Sequence, residues 1–426
     1  MRPDNHQTRR GAQKKGGIAG SPSSPTLDIA ATFNQAVKLH QIGRFSEAEK
    51  LYRSVLEAKS GHPDGLHLWK VMALNCRGHT LQEMNRLDEA LASYNQAITL
   101  KPDYADAFNN RSIVLQELKR PEDALASCDR AIALKPDYAE ALYNRANALK
   151  ELKRPEEALE SYDRAIALKP GHTKAFYNRG IVLHELKRFD DALASYDRAI
   201  MLKPDYAEAF NNRGIVLQEL KRLDEAMASC DRAITLKPDY AEAFYNRGTA
   251  LQALNRWTEA LTSFDRSIAL KPGNAEAFIN RGATLQELKR LDEALANYDQ
   301  AIVLKPGYAE AFNNRGNTLQ EMNRWDEALA SFDQAIALKP DFADAFNNRG
   351  MAQLSYGRYR EAWADYEWRW KARGFPGKQP KIDVPVWQSE DLTGRRIVVY
   401  AEQGMGDVIQ FTRYLPLLVR RGAAVT

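Results

Sequence analysis

Apolar and polar positions along this chain follow one rule for most of its length. Lys-Pro recurs at 101, 135, 169, 203, 237, 271, 305 and 339, an interval of 34 each time. With Ala207 as position 1 of a unit, Phe210, Gly214 and Leu217 fall at i, i+4 and i+7, one face of a first helix. Ala226, Cys230, Ala233 and Ile234 form the matching face of a second helix. The first helix is expected to start at an N-cap such as Asp137, with Glu140 three residues on as a capping box. The second is expected to stop at the proline of the Lys-Pro pair. Neither face is wide enough to bury itself, so the pattern predicts an all-α solenoid of stacked helix pairs. Gly180, Gly214, Gly248, Gly282, Gly316 and Gly350 share position 8. Glycine costs a helix about 1 kcal/mol against alanine, so its recurrence predicts a close approach of the two helices.

Composition changes this picture little. The hydrophobic fraction is 44%, ordinary for a folded chain, and no apolar run is long enough to cross a membrane. Residues 1–27 read as a disordered basic tail, with Arg2, Arg9, Arg10, Lys14 and Lys15 against Asp4. That tail accounts for the whole net charge of +4, so the remainder offers no basic surface for nucleic acid. The three cysteines do not make a disulfide scaffold. Cys128 and Cys230 occupy the aromatic slot of other units (Tyr162, Tyr196, Phe264) and read as small core residues. The histidines are scattered without metal-ligand spacing. We expect no cofactor, no metal, no membrane contact and a cytoplasmic location.

Large, small and large residues at positions 4, 8 and 11, followed by Ala at 20, an aromatic at 24, Ala at 27 and Pro at 32, resemble the tetratricopeptide repeat. In the numbered unit these are Phe210, Gly214, Leu217, Ala226, Cys230, Ala233 and Pro238. The resemblance spans roughly residues 29 to 372, about ten units, the first stretched around Gly61-His62-Pro63 and the last degenerate. It implies a right-handed superhelix whose first helices line a concave surface. Position 4, often Trp in the family, is mostly Phe here, and position 7, often Leu, is Arg.

Position 6 is asparagine in successive units: Asn110, Asn144, Asn178, Asn212, Asn246, Asn280, Asn314 and Asn348. It lies away from the core face on a stripe with positions 2, 9 and 13, and position 12 is mostly Gln (Gln116, Gln218, Gln252, Gln286, Gln320). Asparagine is a mediocre helix former, so plain exposure does not explain it. A carboxamide both donates and accepts, so a row of them predicts a ladder gripping the main chain of an extended peptide. The row is similar to that of the protein O-linked N-acetylglucosamine transferases, where it implies grip on substrate backbone. Recent duplication, or a bond from each Asn to a neighbouring helix, are the competing readings. Arg at position 7 and Asp at position 25 flank the apolar faces, and we expect them to pair within a unit (Arg213 with Asp231, Arg349 with Glu367) or between units (Arg247 with Asp231).

After Asn348 the pattern changes. Trp363, Tyr366 and Trp370 are spaced to cover the end of the array. We place the array at 28–372, a linker at 373–394 and the start of an α/β domain at 395–426. There Arg395–Ala401 reads as a strand, Val408–Arg421 as a helix kinked at Pro416, and Ala423–Thr426 as a second strand. This segment is similar to bacterial tetratricopeptide proteins that continue into a heptosyltransferase-like glycosyltransferase domain, which implies a catalytic base at Asp407. With only its opening present, that domain is not expected to catalyse sugar transfer unless the chain continues beyond Thr426. The primary expectation is therefore a scaffold that binds protein or extended peptide. The alternatives are the substrate-recruiting arm of a glycosyltransferase and self-assembly through the Trp-rich end.

Overall fold

The computed structural model describes residues 28–58, 63–373 and, toward the C-terminus, 391–397, 399, 412 and 414–425. The basic tail at 1–27 lies outside the described residues, as do most of the linker and Gly404, Gly406 and Asp407. Two compact units are present, Met1–Pro204 and Asp205–Thr426.

In the first unit the helices are α1 (Ile29–Gln41), α2 (Phe45–Glu57), α3 (Pro63–Glu83), α4 (Leu87–Leu100), α5 (Ala105–Glu117), α6 (Pro121–Leu134), α7 (Ala139–Glu151), α8 (Pro155–Leu168), α9 (Thr173–Glu185) and α10 (Phe189–Leu202). In the second they are α11 (Ala207–Glu219), α12 (Leu223–Leu236), α13 (Ala241–Ala253), α14 (Trp257–Leu270), α15 (Ala275–Glu287), α16 (Leu291–Leu304), α17 (Ala309–Glu321), α18 (Trp325–Leu338), α19 (Ala343–Ser355) and α20 (Tyr359–Tyr366). Odd-numbered helices are A helices and even-numbered ones are B helices. Each A helix packs on the B helix that follows it, and within each unit successive A helices also touch. The chain is thus an all-α stack of helix pairs.

Each A helix from α3 onward ends the same way. Position 15 has a left-handed backbone, as at Lys119 (φ 57°), Lys221 (φ 59°) and Asn255 (φ 57°). The next amide then reaches back to an orphan carbonyl, as Arg120 N–H does to Leu115 O (2.8 Å) and Arg222 N–H to Leu217 O (2.9 Å). This is the Schellman stop, normally built on glycine. In α1 and α19 the same place is held by Gly43 (φ 77°) and Gly357 (φ 83°). The arginine after the turn becomes the N-cap residue of the B helix. Its guanidinium clamps the carboxylate at N3, as Arg222 does to Glu225 (2.7 Å).

The start of the A helix departs from expectation. The N-cap before α7 is Tyr138 and not Asp137, and no side chain caps it, so the Asp137–Glu140 box does not form. Tyr138 packs instead on the Phe108, Ala131 and Ala141 cluster. Packing at this position outweighs the cap wherever the residue is aromatic. Where it is polar, as at His172 and Asn274, the side chain does accept from the N3 amide.

The predicted close approach is present. A Cβ placed on Gly248 would lie 2.6 Å from the Phe264 ring, and one on Gly282 would lie 2.8 Å from the Tyr298 ring. The alanines at positions 20 and 27, such as Ala226 and Ala233, are fully buried in the same seam. Cys128 and Cys230 are also fully buried.

Past α20 the chain turns through a short 3₁₀ helix, Glu367–Lys371. Farther on, strand β1 (Arg396–Ile397) pairs in parallel with β2 (Ala424–Val425), and α21 (Leu415–Arg420) precedes β2. Pro416 sits in the first turn of α21, and residues 408–411 of the expected longer helix lie outside the described ones. A proline is tolerated in that first turn because the first amides of a helix have no partner to lose.

Candidate functional site

The asparagine row is not a set of free amides. Asn110 Nδ2 donates to Asn75 Oδ1 (3.1 Å), Asn144 to Asn109 (2.9 Å), Asn246 to Asn211 (2.8 Å) and Asn348 to Asn313 (3.0 Å). Asn280 donates to the Tyr245 hydroxyl (3.0 Å). Asn178 donates to the Tyr143 hydroxyl and to Asn147 Oδ1, both at 3.0 Å. In every case the donor at position 6 reaches the A helix of the preceding pair, usually its position 5. A wheel drawn on one helix pair misses this, because each A helix has a second neighbour, the A helix before it. The sequence carries this signal in the doublet at positions 5 and 6, Asn-Asn or Tyr-Asn, whose first member supplies the acceptor for the next A helix.

The row is consequently half-buried, and Asn144 is only 8% exposed. Its oxygens are different. Asn178, Asn246, Asn280 and Asn348 accept no hydrogen bond at Oδ1 among the described residues. None of these oxygens is among the buried atoms without a partner, which are the Tyr94 hydroxyl and Gln353 Oε1. They therefore meet solvent. Asn212 and Asn314 accept instead from Asn211 and Asn313 beside them.

Position 12 behaves alike. Gln116, Gln218 and Gln252 each donate Nε2 to the backbone carbonyl at position 6 of the next A helix, at 3.0, 3.1 and 2.9 Å. Gln286 donates to Glu321, and Gln320 is half-buried at the equivalent place. One amide hydrogen of most side chains in both rows is spent between A helices, which fixes the direction of the side-chain dipole.

The arginines at position 7 pair between successive helix pairs. Arg145 meets Asp129 (2.7 Å), Arg247 meets Asp231 (2.5 Å) and Arg315 meets Asp299 (2.7 Å). Each also reaches the serine at position 23 of its own B helix, as Arg247 does to Ser263 (2.7 Å). The contact within one helix pair between Arg213 and Asp231 does not form, because Asp231 faces the next A helix and is taken by Arg247. Arg349 pairs with Asp333 and Asp365 (both 2.6 Å), not with Glu367, since Asp365 replaces the usual serine. Apart from the buried Asp365, the aspartates are about half exposed, so these pairs orient helices more than they stabilise them.

At the C-terminal end the expected aromatic cover is only partial. Trp368 stacks on Phe346 with centroids 4.4 Å apart, and Arg369 lies against Tyr366 and Trp370, 4.5 Å from each centroid. Trp363 stays 55% exposed. The 3₁₀ turn at Glu367 rotates the later residues, so the three aromatics do not share the one face that a continuous helix would give them.

Two ionisable types stand out. Burial pushes the Cys128 and Cys230 thiols up to about 12, which marks them as inert packing groups. A hydrogen bond from Lys271 holds Glu242 below the usual carboxylate range, and Lys169 does the same for Glu140. Among the described residues no helix is long and apolar enough to cross a membrane. No group of His, Cys, Asp and Glu among them is arranged to hold a metal.

Comparison with known proteins follows the same lines. Among solved structures, YrrB, described as a TPR protein with an unusual peptide-binding site, is 28% identical over 44% of this chain and 97% of its own, with a TM-score of 0.39. A tetratricopeptide repeat protein from Parabacteroides merdae is 17% identical over 58% of this chain and 98% of its own, with a TM-score of 0.45. The Cut9–Hcn1 assembly of the APC/C is 13% identical over 76% of each chain, with a TM-score of 0.48. No curated protein matches. Profiles of the tetratricopeptide repeat match residues 78–119, 103–171, 143–205, 177–241, 241–274, 286–323 and 309–342, together more than half the sequence. The chain therefore belongs to the tetratricopeptide repeat family, a family of protein-interaction scaffolds.

Proposed function

We propose that this scaffold takes an extended peptide segment along its A-helix face. The lining residues are Asn110, Asn144, Asn178, Asn212, Asn246, Asn280, Asn314 and Asn348, with Gln218, Gln252, Gln286 and Gln320 beside them. One observation carries the reading. The side-chain amides are anchored by their nitrogens to the preceding helix while oxygens such as those of Asn246 and Asn280 stay open to solvent. An acceptor already held in place loses little entropy when a peptide N–H arrives. The same bonds fix the stacking register of A helices, so the row has two tasks at once.

The test combines Asn212→Ala, Asn246→Ala and Asn280→Ala, with binding read on a peptide array and folding read by circular dichroism. Loss of binding with the helical signal kept is the expected result. Undiminished binding beside a lowered melting temperature would reduce the row to a register lock.

A second reading keeps this face and adds chemistry. We place the array at 28–372, a linker at 373–394 and the opening of an α/β domain at 395–426. The parallel pairing of β1 with β2, with α21 between them in sequence, supports that assignment. On this reading the array recruits substrate for a glycosyltransferase whose base is Asp407, a residue outside the described ones. The coding sequence beyond Thr426 tests it. About one further α/β domain with a phosphate-binding loop favours the enzyme, and a stop codon favours the scaffold alone.

A further inference from the structure

The amide orientation in the second unit has a consequence for which peptides can bind. Asn246 and Asn280 each spend one amide hydrogen on Asn211 and Tyr245, which holds the side chain in place and leaves Oδ1 with one N–H beside it. Gln252 has spent its nitrogen on Asn280 O and Thr284 Oγ1, leaving Oε1 outward. Position 13 adds exposed carboxylates at Glu219 and Glu287, on either side of Ala253. Across α11, α13, α15, α17 and α19, positions 2, 6, 9, 12 and 13 hold no lysine, arginine or histidine.

Some carboxylates on this face are already matched. Lys271 holds Glu242 (2.7 Å), and Gln286 and Lys289 together hold Glu321. Glu219 and Glu287 make no ion pair among the described residues. Asn314 is the exception among the amides. Its counterpart at position 5 is Ile279, which cannot accept, so its nitrogen stays available as a donor.

From this acceptor-rich lining we infer that the A-helix face of the second unit selects extended peptides carrying lysine or arginine. The inference rests on the reading that this face takes a peptide, and it adds the chemistry of the partner. Oxygen acceptors and carboxylates both favour N–H donors, and a cation supplies several at once. A glutamate side chain laid there would meet the unpaired carboxylates of Glu219 and Glu287, and such like-charge mismatch is how an interface rejects a wrong partner. Two steps between packed helices of about 9 Å each separate Glu219 from Glu287, roughly six residues of an extended strand.

The test uses the full chain and three pools of random-sequence peptides of equal length. One pool has lysine fixed at two places about six residues apart, one has glutamate there, and one has serine. Fluorescence polarisation at low salt is expected to rank lysine above serine above glutamate, lysine leading serine by about fivefold. The lead should shrink as salt shortens the screening length. Glu219→Gln with Glu287→Gln should erase the lead and leave the thermal melt unchanged, since neither carboxylate holds the fold together. A ranking that survives this double substitution, or glutamate binding as well as lysine, overturns the inference. Equal binding of all three pools overturns it too, while the peptide-binding reading stands. Failure of every pool to bind removes both.

Discussion

The two units use one backbone and line it differently. In the second, every A helix from α11 to α19 has glycine at position 8, and the outward stripe carries carboxylates and amides without a cation. In the first, position 8 runs Gly78, Ser112, Ala146 and Gly180, and the stripe includes His79, Lys150, Lys174 and His184. The anchoring bonds are common to both, since Asn144 reaches Asn109 as Asn246 reaches Asn211. Whatever fixes register is therefore held constant, and whatever faces outward varies. The difference separates stacking residues from those free to choose a partner.

The seam is the place to break this comparison most severely. Gly316→Ala would set a Cβ 2.6 Å from the Phe332 ring, so the ring or the helix must move. Overpacking of this kind costs about 1–3 kcal/mol. Ala146→Gly in the first unit has no such clash to relieve and should lose only about 1 kcal/mol through helix propensity. Its ring partner is already accommodated, with the Tyr162 hydroxyl bonded to Asn147 Oδ1 (2.6 Å). Urea melts of the two variants should differ in midpoint by that margin. Equal costs would mean that position 8 is not where the units part.

A gain of stability is expected at the Schellman turns. Lys221 holds a left-handed backbone (φ 59°) where α1 and α19 use glycine. A side chain in that region costs roughly 1–2 kcal/mol, partly offset by glycine's greater freedom when unfolded. Lys221→Gly should thus raise stability by about 1 kcal/mol, read as a later urea midpoint. Lys153→Gly in the first unit should match it, because both turns share the same bonds.

Most of the fold was legible because it repeats. The 34-residue interval, the apolar faces and position 8 each gave a correct local structure. What failed depended on neighbours outside the helix pair. Asp137 looks like a cap until Tyr138 finds a pocket under α5 and α6. Arg213 and Asp231 look like partners until the next A helix brings Arg247 closer. Asn246 looks free until Asn211 is placed beside it. A sequence wheel knows one axis, while a residue in a stack has a preceding and a following helix. The sequence does show which positions 5 lack an acceptor, as at Ile279, and so which amides remain unanchored.

The ion pairs sharpen the point at lower energy. A double-mutant cycle on Arg247 and Asp231 should give a coupling of about 0.5–1 kcal/mol, the range for pairs that are partly exposed. The cycle on Arg213 and Asp231 should give none. The first-unit pair of Arg145 with Asp129 has nearly the same geometry and should couple as strongly. Coupling between Arg213 and Asp231 would contradict the observed pairing of Asp231.

The smallest expected effect belongs to the first unit alone. His40 on α1 sits 2.9 Å from Thr80 Oγ1 on α3, and its ring lies 4.8 Å from that of His79. Burial lowers its pKa and His79 lowers it further, while Glu83 pulls the other way. With the folded value below the unfolded one, the unfolded chain binds more protons between the two. The contact is therefore complete above the ordinary value of 6.5 and weakens as pH falls below it. Hydrogen exchange on α1 and α3 should show protection declining from pH 7 toward pH 5. His40→Gln should flatten that decline, since the amide can keep the bond to Thr80 without gaining charge. The A helices of the second unit, with no histidine on their outward stripe, should show no such trend. A matching decline there would trace the pH response to the carboxylates shared by both units, and the histidine pair would lose its role.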